Sequence, residues 1–153
     1  MTESAVSNSF LSDLNEFCRR FTVCDMKRAE WTHEAHLAVG AWHVDRYGSD
    51  AALARLRVGI RALNESFGNR NTASDGYHET ITAAYVHLLS DFLGRCPAGL
   101  PLEARVVLLL RSPLARKDVL LRYYSEGLLM SARARAEWAE PDLRPLATEA
   151  ITT

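Results

Sequence analysis

Only three cysteines occur in this sequence of 153 residues, and Cys18, Cys24 and Cys96 do not form the close pairs that zinc ribbons and dithiol redox centres require. They are read as reduced thiols in a cytoplasmic protein. No apolar run approaches the ~20 residues needed to cross a bilayer. The opening MTESAVSNSF has an acidic residue where a signal peptide needs a basic one, so no targeting segment is expected. A surplus of one charge is also missing: 18 basic and 19 acidic residues give a formal net charge of −1. Without a basic or acidic field, neither nucleic acid nor an anionic membrane is expected as a partner. Convincing strand patterns, internal repeats and low-complexity segments are absent as well.

What is present is helical periodicity in a chain with 48% apolar residues, suited to one core. Phe10, Leu14, Phe17 and Phe21 recur at helical spacing behind a Ser7-Asn8-Ser9 cluster suited to capping a first helix. A second helix is predicted from Thr32 to Tyr47, ending at Gly48, and a third from Ser49 or Asp50 to Phe67. After the polar stretch 64–76, a fourth runs from Tyr77 to Arg95. That stretch is either an ordinary connection or a lid over a pocket. Shorter helices follow at Leu102 to Leu110 and from Pro113 through Val119, Leu120 and Tyr123, the last ending near Trp138. The fold class is therefore all-α: a single-domain helical bundle over 1–146, with four main helices, one or two shorter C-terminal ones, and a frayed tail at 147–153.

The chemistry-bearing residues concentrate in WTHEAHLAVGAWH, residues 31–43. At 100° per residue, His33, His36, Leu37, Gly40, His43, Val44 and Tyr47 share one face, whereas Glu34, Ala35, Ala38 and Trp42 share the other. Because Glu34 points away from the histidines, HEAH is not a degraded HExxH protease motif. In the fourth helix, His78 falls on the apolar stripe with Ile81, Tyr85, Leu88 and Phe92, while His87 falls on the solvent side. Short connections make the second and fourth helices parallel, which brings His33, His36 and His78 to one end of the bundle. His43 lies ~10 Å further along and is expected to bond Tyr47 or a backbone carbonyl.

Three neutral imidazoles in a dehydrated space need donors and acceptors, and protonating all of them crowds like charges. A divalent metal ion relieves both problems. Three histidines suit zinc, and a carboxylate from Glu79 widens the choice to iron or manganese. Glu79 is read as fourth ligand, as catalytic base, or simply as the N3 residue of a capping box that starts at Gly76. Tyr85, two turns beyond His78, is either a core phenol or a proton donor. Arg55, Arg57, Arg61, Arg133 and Arg135 read as solvated faces.

WTHEAHL, NTASDGYHETIT and the closing WAEPDLRPL resemble the W-T-H-x-x-H-L, N-T, G-Y-H-E-T-x-T and W-x-x-P-D-L-x-P-L patterns of a group of short bacterial helical proteins. That resemblance runs from Trp31 to Leu146 and implies a shared motif with little chemistry. A looser similarity to DinB-like bundles implies a metal held by three histidines at one end, although the HxxH spacing departs from theirs. The leading expectation is a small metal-dependent enzyme acting on a small molecule through His33, His36, His78 and Glu79. The alternative is a non-enzymatic module that binds a small ligand, or acts through a partner or as a homodimer.

Overall fold

The computed structural model describes residues 9–148, and within them all regular structure is helical. A 3-10 turn at Ser9–Asp13 precedes α1 (Leu14–Thr22), followed by α2 (His33–Tyr47), α3 (Ser49–Ser66), α4 (Glu79–Arg95) and α5 (Leu102–Leu110). Three further 3-10 turns occur: Arg28–Glu30 before α2, and Pro113–Ala115 and Val119–Arg122, which lead to the short α6 (Glu126–Leu129) and α7 (Ala132–Ala136). Among the described residues no helix is long and apolar enough to cross a membrane.

Leu14, Phe17 and Phe21 bury one side of α1, as their spacing predicts, and Cys18 is buried beside them. Its cap differs from the expectation. The Asp13 side chain accepts from the Glu16 amide, so the 3-10 turn takes the place of an earlier helix start. Ser7 and Asn8 lie outside the described residues.

The most deeply embedded element is α2. The wheel assigns Ala35 and Ala38 to the outer face, yet both are fully buried, together with Leu37, Val39 and Ala41. The physical reason is residue size: alanine and glycine let neighbouring helices close on every side. A Cβ added to Gly40 would stand 2.7 Å from Leu89 Cδ1. α2 accordingly packs against α1, α3, α4 and α5, and α3 and α4 also pack on each other. Gly48, at φ 79, makes the reversal between α2 and α3 in a backbone region that favours glycine.

The fourth helix starts two residues later than predicted. His78, not Gly76, is the N-cap: its Nδ1 accepts the Ile81 amide at 3.1 Å. The loop before it is organised by Asn71, whose side chain bonds Asn64, the Arg61 carbonyl and the Tyr77 amide.

Beyond Arg111 the shorter helical pieces expected up to Trp138 are broken further, into two 3-10 turns and the short α6 and α7. Leu114, Val119, Leu120, Tyr123, Tyr124 and Leu129 are all buried. A straight helix presents only one stripe, so the segment turns repeatedly to deliver them. The closing stretch is also tied down: Ser125 bonds Asp142, Tyr123 bonds the Ala147 carbonyl, and Thr148 bonds Asp91. Ala147 and Thr148 are therefore anchored, and the rest of the predicted frayed tail, 149–153, lies outside the described residues.

Candidate functional site

The N-terminal halves of α2 and α4 meet over α3, and the bent C-terminal segment covers them incompletely. The space between is a pocket of about 500 Å³. Trp31, His33 and His36 form one wall, Ile81, Thr82 and Tyr85 another, and Leu56, Ile60, Leu120 and Leu129 complete an apolar lining. Lys117, Asp118, Leu121 and Met130 are exposed residues of the same lining. Residues of the loop 64–76 do not contribute, so that loop is a connection and not a lid over this space.

Thr32 caps α2 by accepting the Ala35 amide, and this sets the direction in which His33 and His36 leave the helix. His36 Nδ1 donates to the Thr32 carbonyl at 2.6 Å, which leaves Nε2 of the neutral ring as an acceptor. Trp31 packs against the same imidazole with centroids 3.9 Å apart. Burial pushes the His36 pKa down to about 4. The ring nevertheless keeps an exposed edge on the pocket, where water screens part of that effect.

His33 differs in one respect. Its Nε2 is buried without a hydrogen-bond partner, alone in that condition among the side-chain atoms of the described residues. The ring stands edge-on to Tyr85, with centroids 6.1 Å apart. Burial holds the His33 pKa below its ordinary value, with the Lys117 charge acting in the same direction and Glu34 and the Ala115 backbone opposing. The Tyr85 hydroxyl makes no hydrogen bond to the described residues, and burial, aided by the Asp118 charge, pushes its pKa up to about 12.

His78 and Glu79 are placed for other work. Because His78 Nδ1 accepts an amide proton, the neutral ring carries its own proton on Nε2, which donates to the Leu129 carbonyl at 2.6 Å. Glu79, at the first position of α4 and not the third, is gripped by Arg57 Nε and Nη2 at 2.9 and 2.7 Å and by the Tyr77 hydroxyl at 2.7 Å. The Arg57 guanidinium holds its carboxyl below the usual range. His43 Nδ1 bonds the Val39 carbonyl at 2.8 Å, matching the backbone option predicted for it, and His87 is exposed as its wheel position requires.

The fit to a metal can now be judged on geometry. Among the described residues, no three His, Cys, Asp or Glu side chains are grouped so as to hold a metal ion. His33 and His36 share the pocket, but both nitrogens of His78 are occupied by backbone and Glu79 is committed to Arg57 and Tyr77. The expected zinc, iron or manganese ligand set does not fit this arrangement.

Several participants were not legible in the sequence. Arg57 reads as a solvated residue and proves to be the partner of Glu79; Arg61 lies over the Tyr77 ring, Arg55 over Tyr47, and Arg135 donates to the Gly76 carbonyl. Lys117, Asp118 and the Leu129 carbonyl come from the bent segment, where no periodicity marks them. The chain matches no protein-family model, no curated protein and no solved structure.

Proposed function

We propose that this chain is a small-ligand-binding module, with α1 to α4 serving as a four-helix scaffold and the pocket between α2, α3, α4 and the C-terminal segment as the binding site. The observation that carries this reading is an apolar cavity of about 500 Å³ lined by His33, His36 and Tyr85 among hydrocarbon side chains. A volume in the range of ~300–1,000 Å³, an apolar lining and a few polar groups are the usual features of small-molecule pockets. The metal-enzyme reading has less support, because two of its four residues are spent on structural bonds. Three free thiols suit a reducing, cytoplasmic setting.

The test is thermal stabilisation by a library of small apolar compounds. Ile81 lies on the pocket wall and is only partly buried, so Ile81→Trp fills the space with little strain elsewhere. Compounds that raise the melting temperature of the wild type and leave Ile81→Trp unmoved support the proposal. Equal responses from both proteins defeat it.

A further inference from the structure

We infer that the pocket selects a neutral, mainly apolar molecule carrying one hydroxyl, and that this hydroxyl is held between His33 Nε2 and the Tyr85 phenol. The inference rests on the small-ligand reading and names the class of ligand.

It starts from two polar groups left without partners, one on each of two neighbouring walls. His33 Nε2 has no hydrogen bond and no contact with solvent, and leaving such an atom unsatisfied costs about 1–3 kcal/mol. Tyr85 stands edge-on beside it and its hydroxyl is likewise unpaired among the described residues. Nε2 has no accessible surface in this structure, so its engagement by the hydroxyl includes a turn of the imidazole about its Cβ–Cγ bond.

A hydroxyl suits this pair better than other oxygen groups. It donates and accepts at once, so it satisfies the imidazole nitrogen in either tautomer while pairing with the phenol. The remaining wall is mainly hydrocarbon, including Leu37, Ile60 and Leu89; of its other polar groups, His36 presents only the acceptor Nε2 and the Thr82 hydroxyl already donates to the His78 carbonyl. A carboxylate or ammonium buried there would lose hydration with no fixed counter-charge inside. At the exposed rim, Lys117 and Asp118 carry opposite signs and select for neither. Burial keeps His33 neutral near pH 7, which removes the cation that an anionic ligand would seek.

Three bicyclic probes of similar size decide the matter: 2-naphthol, 2-methylnaphthalene and 2-naphthoate, titrated calorimetrically into the wild type, His33→Phe and Tyr85→Phe. The wild type is expected to bind naphthol about tenfold more tightly than methylnaphthalene, the equivalent of two modest hydrogen bonds. Each variant should reduce that ratio to about threefold or less while leaving methylnaphthalene affinity nearly unchanged. Should His33→Phe fail to fold, Tyr85→Phe removes a single oxygen and the wild-type ratio needs no variant. A ratio near unity in the wild type, a ratio preserved in Tyr85→Phe, or naphthoate as the tightest probe would overturn the inference. Binding of methylnaphthalene without hydroxyl preference overturns it while leaving the ligand-binding reading intact. Failure of all three probes to bind, with library hits that Ile81→Trp abolishes, overturns the ligand class alone. Failure of the probes together with no such hits overturns both.

Discussion

His78 and Leu129 are joined across 51 positions of sequence: the imidazole that caps α4 through Nδ1 donates from Nε2 to the Leu129 carbonyl at the end of α6. One side chain thus starts a helix and pins the segment that closes the pocket. His78→Ala removes both bonds and leaves the Leu129 carbonyl unpaired in a buried site, so a loss of about 2–3 kcal/mol is expected in urea unfolding. His78→Asn can restore the cap but not the long-range bond, and should recover about 1 kcal/mol of that loss. Equal stability of the alanine variant and wild type would show that neither bond matters.

Stability should depend on pH through the histidines. His33, His36, His43 and His78 are all held below the ordinary value of 6.5, in each case chiefly by burial. The unfolded chain therefore binds more protons than the folded one below about pH 6.5, so stability rises with pH in that window. Their contribution is fully present above about 6.5 and is lost as pH falls through the lowered folded-state values, His36 being exposed and contributing less than the other three, which are more buried. Below about 4.5 the lowered carboxyl of Glu79 adds to the loss. Urea midpoints between pH 4.5 and 8 should be flat at the alkaline end and fall steadily on the acid side. A chelator should leave the curve in place; a chelator-induced shift would return the metal reading to the lead.

Glu79→Gln should destabilise the fold by about 1–2 kcal/mol, since it discharges the acceptor of the Arg57 pair while leaving an oxygen for Tyr77. Arg57 is partly exposed, which keeps the cost below that of a buried pair. The effect should shrink in Arg57→Ala, a coupling that a double-mutant cycle measures directly. Additive losses would show that the pair is not coupled.

Gly59→Ala tests packing against helix propensity. Alanine favours an exposed helix interior by about 1 kcal/mol over glycine. Here, however, the new Cβ would stand 2.6 and 2.7 Å from two carbons of the Phe21 ring, a rigid group already stacked on Trp31. Overpacking should prevail, with a net loss of about 1–2 kcal/mol in thermal or urea unfolding. A stabilised variant would mean that α1 shifts freely over α3.

Much of the site was readable because helical geometry is local. The placement of His33 and His36 on one pocket follows from side chains three residues apart sharing a face, and Tyr85 takes the cavity-lining alternative of its two readings. His43 followed from the same rule, since a buried imidazole within a helix finds the carbonyl four residues back. The burial of Ala35, Ala38 and Thr80 was not readable, because a wheel divides a helix into two faces and α2 and α4 are covered on more than two.

The sequence by itself determined the helical class, most boundaries of the long helices and the reversal at Gly48. All of these depend on periodicity and on conformational preferences within a few residues. Only the tertiary structure decided what the histidines do. His78 was free to be a ligand until the Leu129 carbonyl, half a hundred residues away, came within 2.6 Å of its proton. Glu79 was free to be a base until Arg57 closed on it from the neighbouring helix. His33 was left with a buried Nε2 that no described residue pairs. A buried polar group takes its role from whichever partner the packing delivers, and that partner is set by contacts distant in sequence.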